Sequence, residues 1–172
     1  PTSSPSPSPA LEGGRPGPGA TVAGKFELVK LVGQGGMGSV WTAKIRPNVK
    51  WHDGRPFTAD DVVFSIMKFH TELSPRARAI FTLIETCEAR DPMTVRIVLK
   101  QAFQPFMLMF DATAAAIVPK HLFDGQDYRT APAVQRPIGT GPFKFTEWQR
   151  GNFVRMDRFD DRKTRLQWIE IT

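Results

Sequence analysis

One stretch, Lys44 to Met67, leaves this chain little freedom in how it folds. Ile45, Val49 and Trp51 fall in a strand-like run. The pair Asp53-Gly54 tolerates positive φ at small steric cost and reads as a turn. Pro56 has no amide hydrogen to give a ladder, so a strand cannot continue through it. Thr58 is a good helix N-cap, and Asp60 and Asp61 put negative charge in the first helical turn, where the macrodipole favours it. That dipole accounts for both carboxylates without acid–base chemistry. Val62, Val63, Ile66 and Met67 then recur at helical spacing and form an apolar face. The stretch predicts strand, turn and capped helix, in that order.

The run Arg46-Pro47-Asn48-Val49-Lys50-Trp51-His52-Asp53-Gly54-Arg55-Pro56-Phe57-Thr58-Ala59-Asp60-Asp61-Val62 resembles the signature of the family 5 extracytoplasmic solute-binding proteins, the peptide, dipeptide and nickel receptors of ABC importers. Ile117-Val118-Pro119-Lys120-His121 is a further match, and Pro137-Ile138-Gly139-Thr140-Gly141-Pro142-Phe143-Lys144-Phe145 is a second strong one. The resemblance covers about residues 40–172 and only the early portion of a much longer family sequence. It implies recognition of a small peptide or similar solute, or a nickel-type ligand, by a fragment with an incomplete cleft. It also implies an ABC transporter permease as partner, an extracytoplasmic (periplasmic or membrane-anchored) location and no catalysis.

In the resembling proteins the Gly-Thr-Gly-Pro turn lies where the chain returns from the small lobe to the main sheet. Gly139, Thr140, Gly141 and Pro142 are therefore the lobe-junction candidates. Two glycines around a threonine allow sharp backbone angles, and proline then sets the start of a strand. The groups that grip peptide termini belong to later family sequence, so half a cleft should bind weakly. Apolar surface meant for the other lobe should be exposed and favour self-association.

The chain ahead of this region differs in kind. Residues 1–22 are rich in Pro, Gly and Ser and cannot bury enough apolar surface to offset ordering entropy, so they read as a disordered tail. Residues 23–44 carry Gly33-Gln34-Gly35-Gly36-Met37-Gly38-Ser39-Val40 between two strand-like runs. This resembles the glycine-rich loop of bacterial Ser/Thr protein kinases, in which backbone amides approach nucleotide phosphates. Gly33, Gly35 and Gly38 are the nucleotide-loop candidates on that alternative. No following lysine strand, catalytic Asp loop or Asp-Phe-Gly completes it. The chain thus reads as a chimera: a kinase-like β-hairpin over 23–44, then a partial solute-binding domain over 45–172. A chimeric folding domain with no ligand is a third alternative.

Further elements follow in order. Ser74-Pro75 pairs a capping residue with proline at the first helical position, and a short helix runs to Phe81. Leu83–Arg90 and Thr94–Leu99 read as strands around an Asp91-Pro92-Met93 turn. Phe103–Phe110 reads as a short buried helix beginning near Pro105. Residues 115–118 read as a small buried strand leading to a proline-started helical turn. Tyr128–Arg136 reads as loop. Strands are predicted over Phe143–Gln149, Phe153–Phe159 and Leu166–Ile171, the first two joined at Gly151-Asn152. The expected fold class is α+β: a mixed, largely antiparallel sheet with a few helices, a partial periplasmic-binding-protein type II lobe behind a disordered tail.

Composition narrows the function further. With 172 residues and 41% hydrophobic content, one packed domain is affordable. The net charge of +6 is spread rather than gathered into a block, so nucleic acid is not an expected partner. Cys87 is alone and cannot form an internal disulfide; no Cys/His spacing suggests zinc, and no metal or cofactor is expected. No apolar run approaches membrane-spanning length. The chain begins with Pro1 and reads as a piece or processed product, any export signal lying outside it. His52, His70 and His121 are far apart in sequence, with His52 expected to be a solvated or capping turn residue. No serine has nucleophile-elbow context, and no catalytic residue is expected.

Overall fold

The strand that opens the resemblance proves to be central. In the computed structural model, which describes residues 21–22, 26–35, 38–101, 103, 106, 116–159 and 168–171, a five-stranded antiparallel sheet has the order β1-β2-β3-β5-β4. Its strands are β1 (Thr21–Val22), β2 (Phe26–Gly35), β3 (Gly38–Ile45), β4 (Ile84–Asp91) and β5 (Thr94–Leu99). β3 pairs with β2 on one side and along its length with β5 on the other, from Ser39↔Leu99 to Lys44↔Thr94. Residues 26–45 and the later strands therefore share one sheet. Thr21 and Val22, read from composition as the end of the tail, instead pair with Glu27 and Phe26. The rest of the tail, 1–20, lies outside the described residues, as do most of the helix expected over 103–110 and the charged segment 160–165.

β5 shows why the sheet has one packed face. Val95, Ile97 and Leu99 are buried and alternate with half-buried Thr94, Arg96 and Val98, the period-two pattern of a strand with one face on a core. Asp91 shapes the β4–β5 turn by accepting the Met93 N–H at 2.8 Å.

The connection from β3 to β4 carries the helices. The strand expected to run on from Ile45 to Trp51 stops at Ile45, because Pro47 lacks an amide hydrogen and Asn48 sits at φ 63°, outside strand geometry. Beyond it, Lys50 and Pro56 form an isolated antiparallel bridge across the loop between them. α1 (Ala59–Phe64) then begins after the cap Thr58, as the sequence predicts. It passes into a π-helical turn, Ser65–Phe69, and on into α2 (His70–Leu73). Ser65 is the local cause we identify: its hydroxyl donates to Asp61 O at 2.6 Å and accepts the Val118 N–H at 2.9 Å. Side-chain competition of this kind perturbs a helical ladder. α3 (Pro75–Phe81) starts as expected, with Ser74 Oγ accepting the Ala77 N–H at 3.2 Å.

Residues 116–118 form no strand. Their backbone is bonded to side chains of the helical connection instead: Val118 to Ser65, and Ala116 O to His70 Nε2. α4 (Lys120–Phe123) follows Pro119, and a short α5 (Pro132–Gln135) interrupts the segment expected to be loop. A second sheet, β6 (Phe143–Gln149), β7 (Phe153–Arg158) and β8 (Trp168–Ile171), closes the described chain, with Gly151 at φ 77° in its first turn.

Among the described residues, buried side chains gather in two hydrophobic clusters. The larger joins Ile45, Trp51, Phe57, Val62, Ile66, Ile80 and the inward residues of β5. The smaller gathers Phe64, Phe123, Tyr128, Ala131 and Ala133 around Phe69. His70 sits beside them, 8% exposed, with its ring against Phe69 and Phe81. Burial lowers its pKa below the usual histidine value, and the bond to the Ala116 carbonyl only partly opposes this. The unfolded chain therefore takes up the proton first. Stability from this site is complete above the unfolded pKa of about 6.5 and is lost as pH falls from there towards the folded value. Urea midpoints for the native chain should drop between pH 7.5 and pH 5, and His70→Gln should show a smaller drop. Parallel pH responses in the two chains would contradict this.

Candidate functional site

The loop Trp51–Arg55 touches α1, His121 of α4 and the segments on either side of the β6–β7 hairpin. It is closed on itself: Trp51 N–H donates to Arg55 O at 2.8 Å, Gly54 N–H to Trp51 O at 2.9 Å, and Arg55 N–H to Asp53 Oδ1 at 3.1 Å. Gly54 takes φ 88°, the positive value its turn requires. Three consecutive side chains then leave this rigid loop towards three partners.

Trp51 points inward and is fully buried, with its ring centroid 5.3 Å from that of Phe57. Its indole Nε1–H donates to Asp61 Oδ2 at 3.2 Å. The same oxygen accepts the Thr58 N–H at 2.9 Å, and Asp61 Oδ1 accepts the Lys120 N–H at 2.9 Å. Asp61 is 5% exposed. The dipole argument is therefore too small for it: this carboxylate ties the loop, the start of α1 and the start of α4 together. Asp60 beside it is exposed. An acidic residue three positions after Thr58 is a visible capping signal, but nothing in the spacing shows Trp51 and Lys120 converging on it.

Asp53 reaches His121, with Oδ2 and Nε2 2.6 Å apart. Burial pushes the Asp53 carboxyl up, but the Arg55 amide, the His121 hydrogen bond and the nearby positive charges outweigh it. The net result is a pKa below the usual carboxylate value.

His52 reaches the junction candidates. Its backbone N–H donates to Gly139 O at 2.9 Å, and Gly139 N–H donates back to the ring Nδ1 at 3.1 Å. Nε2 lies 3.0 Å from Gly141 O. Because Nδ1 accepts, Nε2 carries the hydrogen and donates it to Gly141 O, so the ring is the neutral Nε2–H tautomer. Phe159 covers the ring at a centroid distance of 4.7 Å, and its own N–H donates to Pro142 O at 2.7 Å. The histidine expected in solvent or at a cap is thus bonded through both ring nitrogens to the Gly139–Pro142 turn.

The glycines at the junction are used differently from the expectation. Neither Gly139 nor Gly141 has positive φ. A Cβ on Gly139 would stand 3.3 Å from His52 Cε1, so close approach of the imidazole explains the glycine there. Nothing in the structure explains Gly141. Thr140 Oγ1 is buried with no hydrogen-bond partner among the described residues.

The other candidates lie apart from this loop. Gly33 and Gly35 are in β2 and Gly38 in β3, in paired register (Gly33↔Val40, Gly35↔Gly38), while 36–37 are outside the described residues. Cys87 is half-buried, and burial, with the Glu88 charge, pushes its thiol up to about 12, which suits packing rather than reaction. An open groove of about 700 Å³ lies between the π-turn and the Asp124–Tyr128 loop, rimmed by Lys68, Glu72, Arg78 and Asp124. Among the described residues no group of three or more His, Cys, Asp or Glu side chains could hold a metal, and no helix is long and apolar enough to cross a membrane.

Comparison with known proteins adds to this geometry. Residues 36–170 match the family described as bacterial extracellular solute-binding proteins, family 5 Middle. Among curated relatives, the oligopeptide-binding protein AppA of Bacillus subtilis is 29% identical over 143 residues, 80% of this chain and 26% of its own length. The glutathione-binding protein GsiB of Pectobacterium atrosepticum is 32% identical over 125 residues, 71% of this chain and 23% of its own. Among solved structures, NikZ of Campylobacter jejuni, in complex with Ni(L-His), superposes with a TM-score of 0.62 at 32% identity, covering 81% of this chain and 27% of NikZ. The chain spans about a quarter of the length of each of these proteins.

Proposed function

The chain belongs to the family 5 bacterial extracellular solute-binding proteins, and on that premise we propose that it forms the small lobe and lobe junction of an ABC-importer receptor. Its solute is a small peptide or a nickel complex of the kind its relatives are named for, its partner an importer permease, and its location extracytoplasmic. One observation carries this reading. The five-stranded sheet and helices own both buried clusters, whereas no residue of β6 or β7 is buried in either. Phe143, Phe145, Phe153, Val154 and Met156 are only half-buried, and Trp148 is 49% exposed. Two strands with apolar residues and none of them buried fit the edge of a larger lobe, held to the small lobe at a bonded turn. The same surface supports self-association when that lobe is not supplied. A solute would then lie between two walls, of which this chain supplies one, and bind with useful affinity only when both are present.

The nucleotide reading of Gly33, Gly35 and Gly38 gains no support from the comparisons: the β2–β3 hairpin pairing suits either reading, and the solute-binding family match begins at residue 36 and takes in Gly38. The test is a lobe exchange: residues 40–159 replace the equivalent segment of the Bacillus oligopeptide-binding relative. A folded exchange protein should retain peptide binding within about tenfold, a change of about 1.4 kcal/mol. A chimera that melts cooperatively yet binds no peptide would remove this reading.

A further inference from the structure

We propose that His52 is a positioning residue whose neutral ring holds the turn between the two sheets, and that taking up a second proton loosens that turn at Gly139. The proposal rests on the lobe reading above for its purpose, but its geometry stands by itself. Both ring nitrogens are committed to backbone groups of one short turn, Nδ1 to the Gly139 N–H and Nε2 to the Gly141 carbonyl. Only the neutral ring satisfies both. A hydrogen placed on Nδ1 faces the Gly139 N–H head on, so one donor must turn away. The His52 N–H bond to Gly139 O and the Nε2–H bond to Gly141 O would remain, so what the second proton removes is the bond from the Gly139 N–H.

Among the described residues, the titratable and charged groups around the turn are few. Residues 137–142 contain no titratable side chain. From its own loop the charged neighbours are Asp53, bonded to His121 and to the Arg55 amide, and Arg55 itself. Against the other face of the ring stands Phe159, which brings the chain-adjacent Arg158 and Asp157 of β7. Imidazole is the side chain whose charge changes between pH 5 and 8. The ring lies close over Gly139, where an added Cβ would stand 3.3 Å from His52 Cε1.

The test uses the whole 172-residue chain, labelled with ¹⁵N, and no solute, so it is independent of whether the receptor reading holds. At pH 8 the His52 ring nitrogens should report a bare Nδ1 and a protonated Nε2. As the ring titrates, exchange of the Gly139 amide, corrected for its intrinsic pH dependence, should accelerate about tenfold, while the β5 amides of Val95 and Ile97 stay unchanged. That factor is the upper range for one backbone hydrogen bond lost. His52→Asn, which keeps an acceptor near Nδ1 but does not titrate, should abolish the step. Gly139→Ala should show the fast exchange at pH 8 already. An Nδ1–H tautomer at pH 8 would overturn the proposal, as would a Gly139 amide indifferent to the ring's titration; the native chain alone decides this even if a variant fails to fold.

Discussion

Trp51→Ala is expected to lower the unfolding free energy by about 4 kcal/mol, the range for removing a large buried aromatic from a core. Trp51 is fully buried in the larger cluster, beside Phe57. Three effects add in one residue: apolar area returns to water, a cavity opens, and Asp61 Oδ2 loses the indole hydrogen bond. Trp51→Phe separates them. It keeps most of the ring packing and deletes the donor, so it should cost about 1–2 kcal/mol. Urea unfolding followed by circular dichroism measures both without depending on the tryptophan's own fluorescence. A domain with total stability of about 5–15 kcal/mol should be left marginal by the alanine variant. A loss under about 1 kcal/mol for Trp51→Ala would mean that the loop is not organised around this side chain.

Asp61→Ala is expected to cost about 3 kcal/mol, because the Trp51 indole, the Thr58 amide and the Lys120 amide lose their acceptor together at a site 5% exposed. Each orphaned buried donor costs about 1–3 kcal/mol, and relaxation keeps the sum below simple addition. Asp60→Ala is the control, since Asp60 is exposed one position away, and it should stay within about 0.5 kcal/mol. The substitutions differ locally as well. Lys120 begins α4 with its amide on Asp61 Oδ1, so its hydrogen exchange should speed up in Asp61→Ala and not in Asp60→Ala. Equal effects from the two aspartates would return Asp61 to a first-turn dipole role and dissolve the link between α1 and α4.

These two residues show what was readable and what was not. The start of α1 was legible, because Thr58 and the two aspartates are signals that act within one turn of helix. The partners of Asp61 were not, since Trp51 lies ten positions before it and Lys120 fifty-nine after, and no local pattern records such a meeting. The same holds for His52. Its place in a turn followed from Asp53-Gly54, but its contact with Gly139 crosses 87 positions. Gly139 itself was read for backbone freedom and serves for closeness. The segment 116–118 looked like a strand because it is apolar and β-branched; it failed to become one because Ser65 and His70 took its backbone partners.

Periodicity, capping residues and turn pairs determined by themselves where most strands and helices begin and end, since each acts over a few neighbouring residues. The long ordered runs around Trp51 and Gly139 likewise marked the family. Only the tertiary structure decided what joins those parts: β5 inserted between β3 and β4, Asp61 placed under Trp51, and a histidine ring closed over the junction. Those choices depend on which distant surfaces exclude water together and which buried donors must find an acceptor, and neither is set by neighbours along the chain.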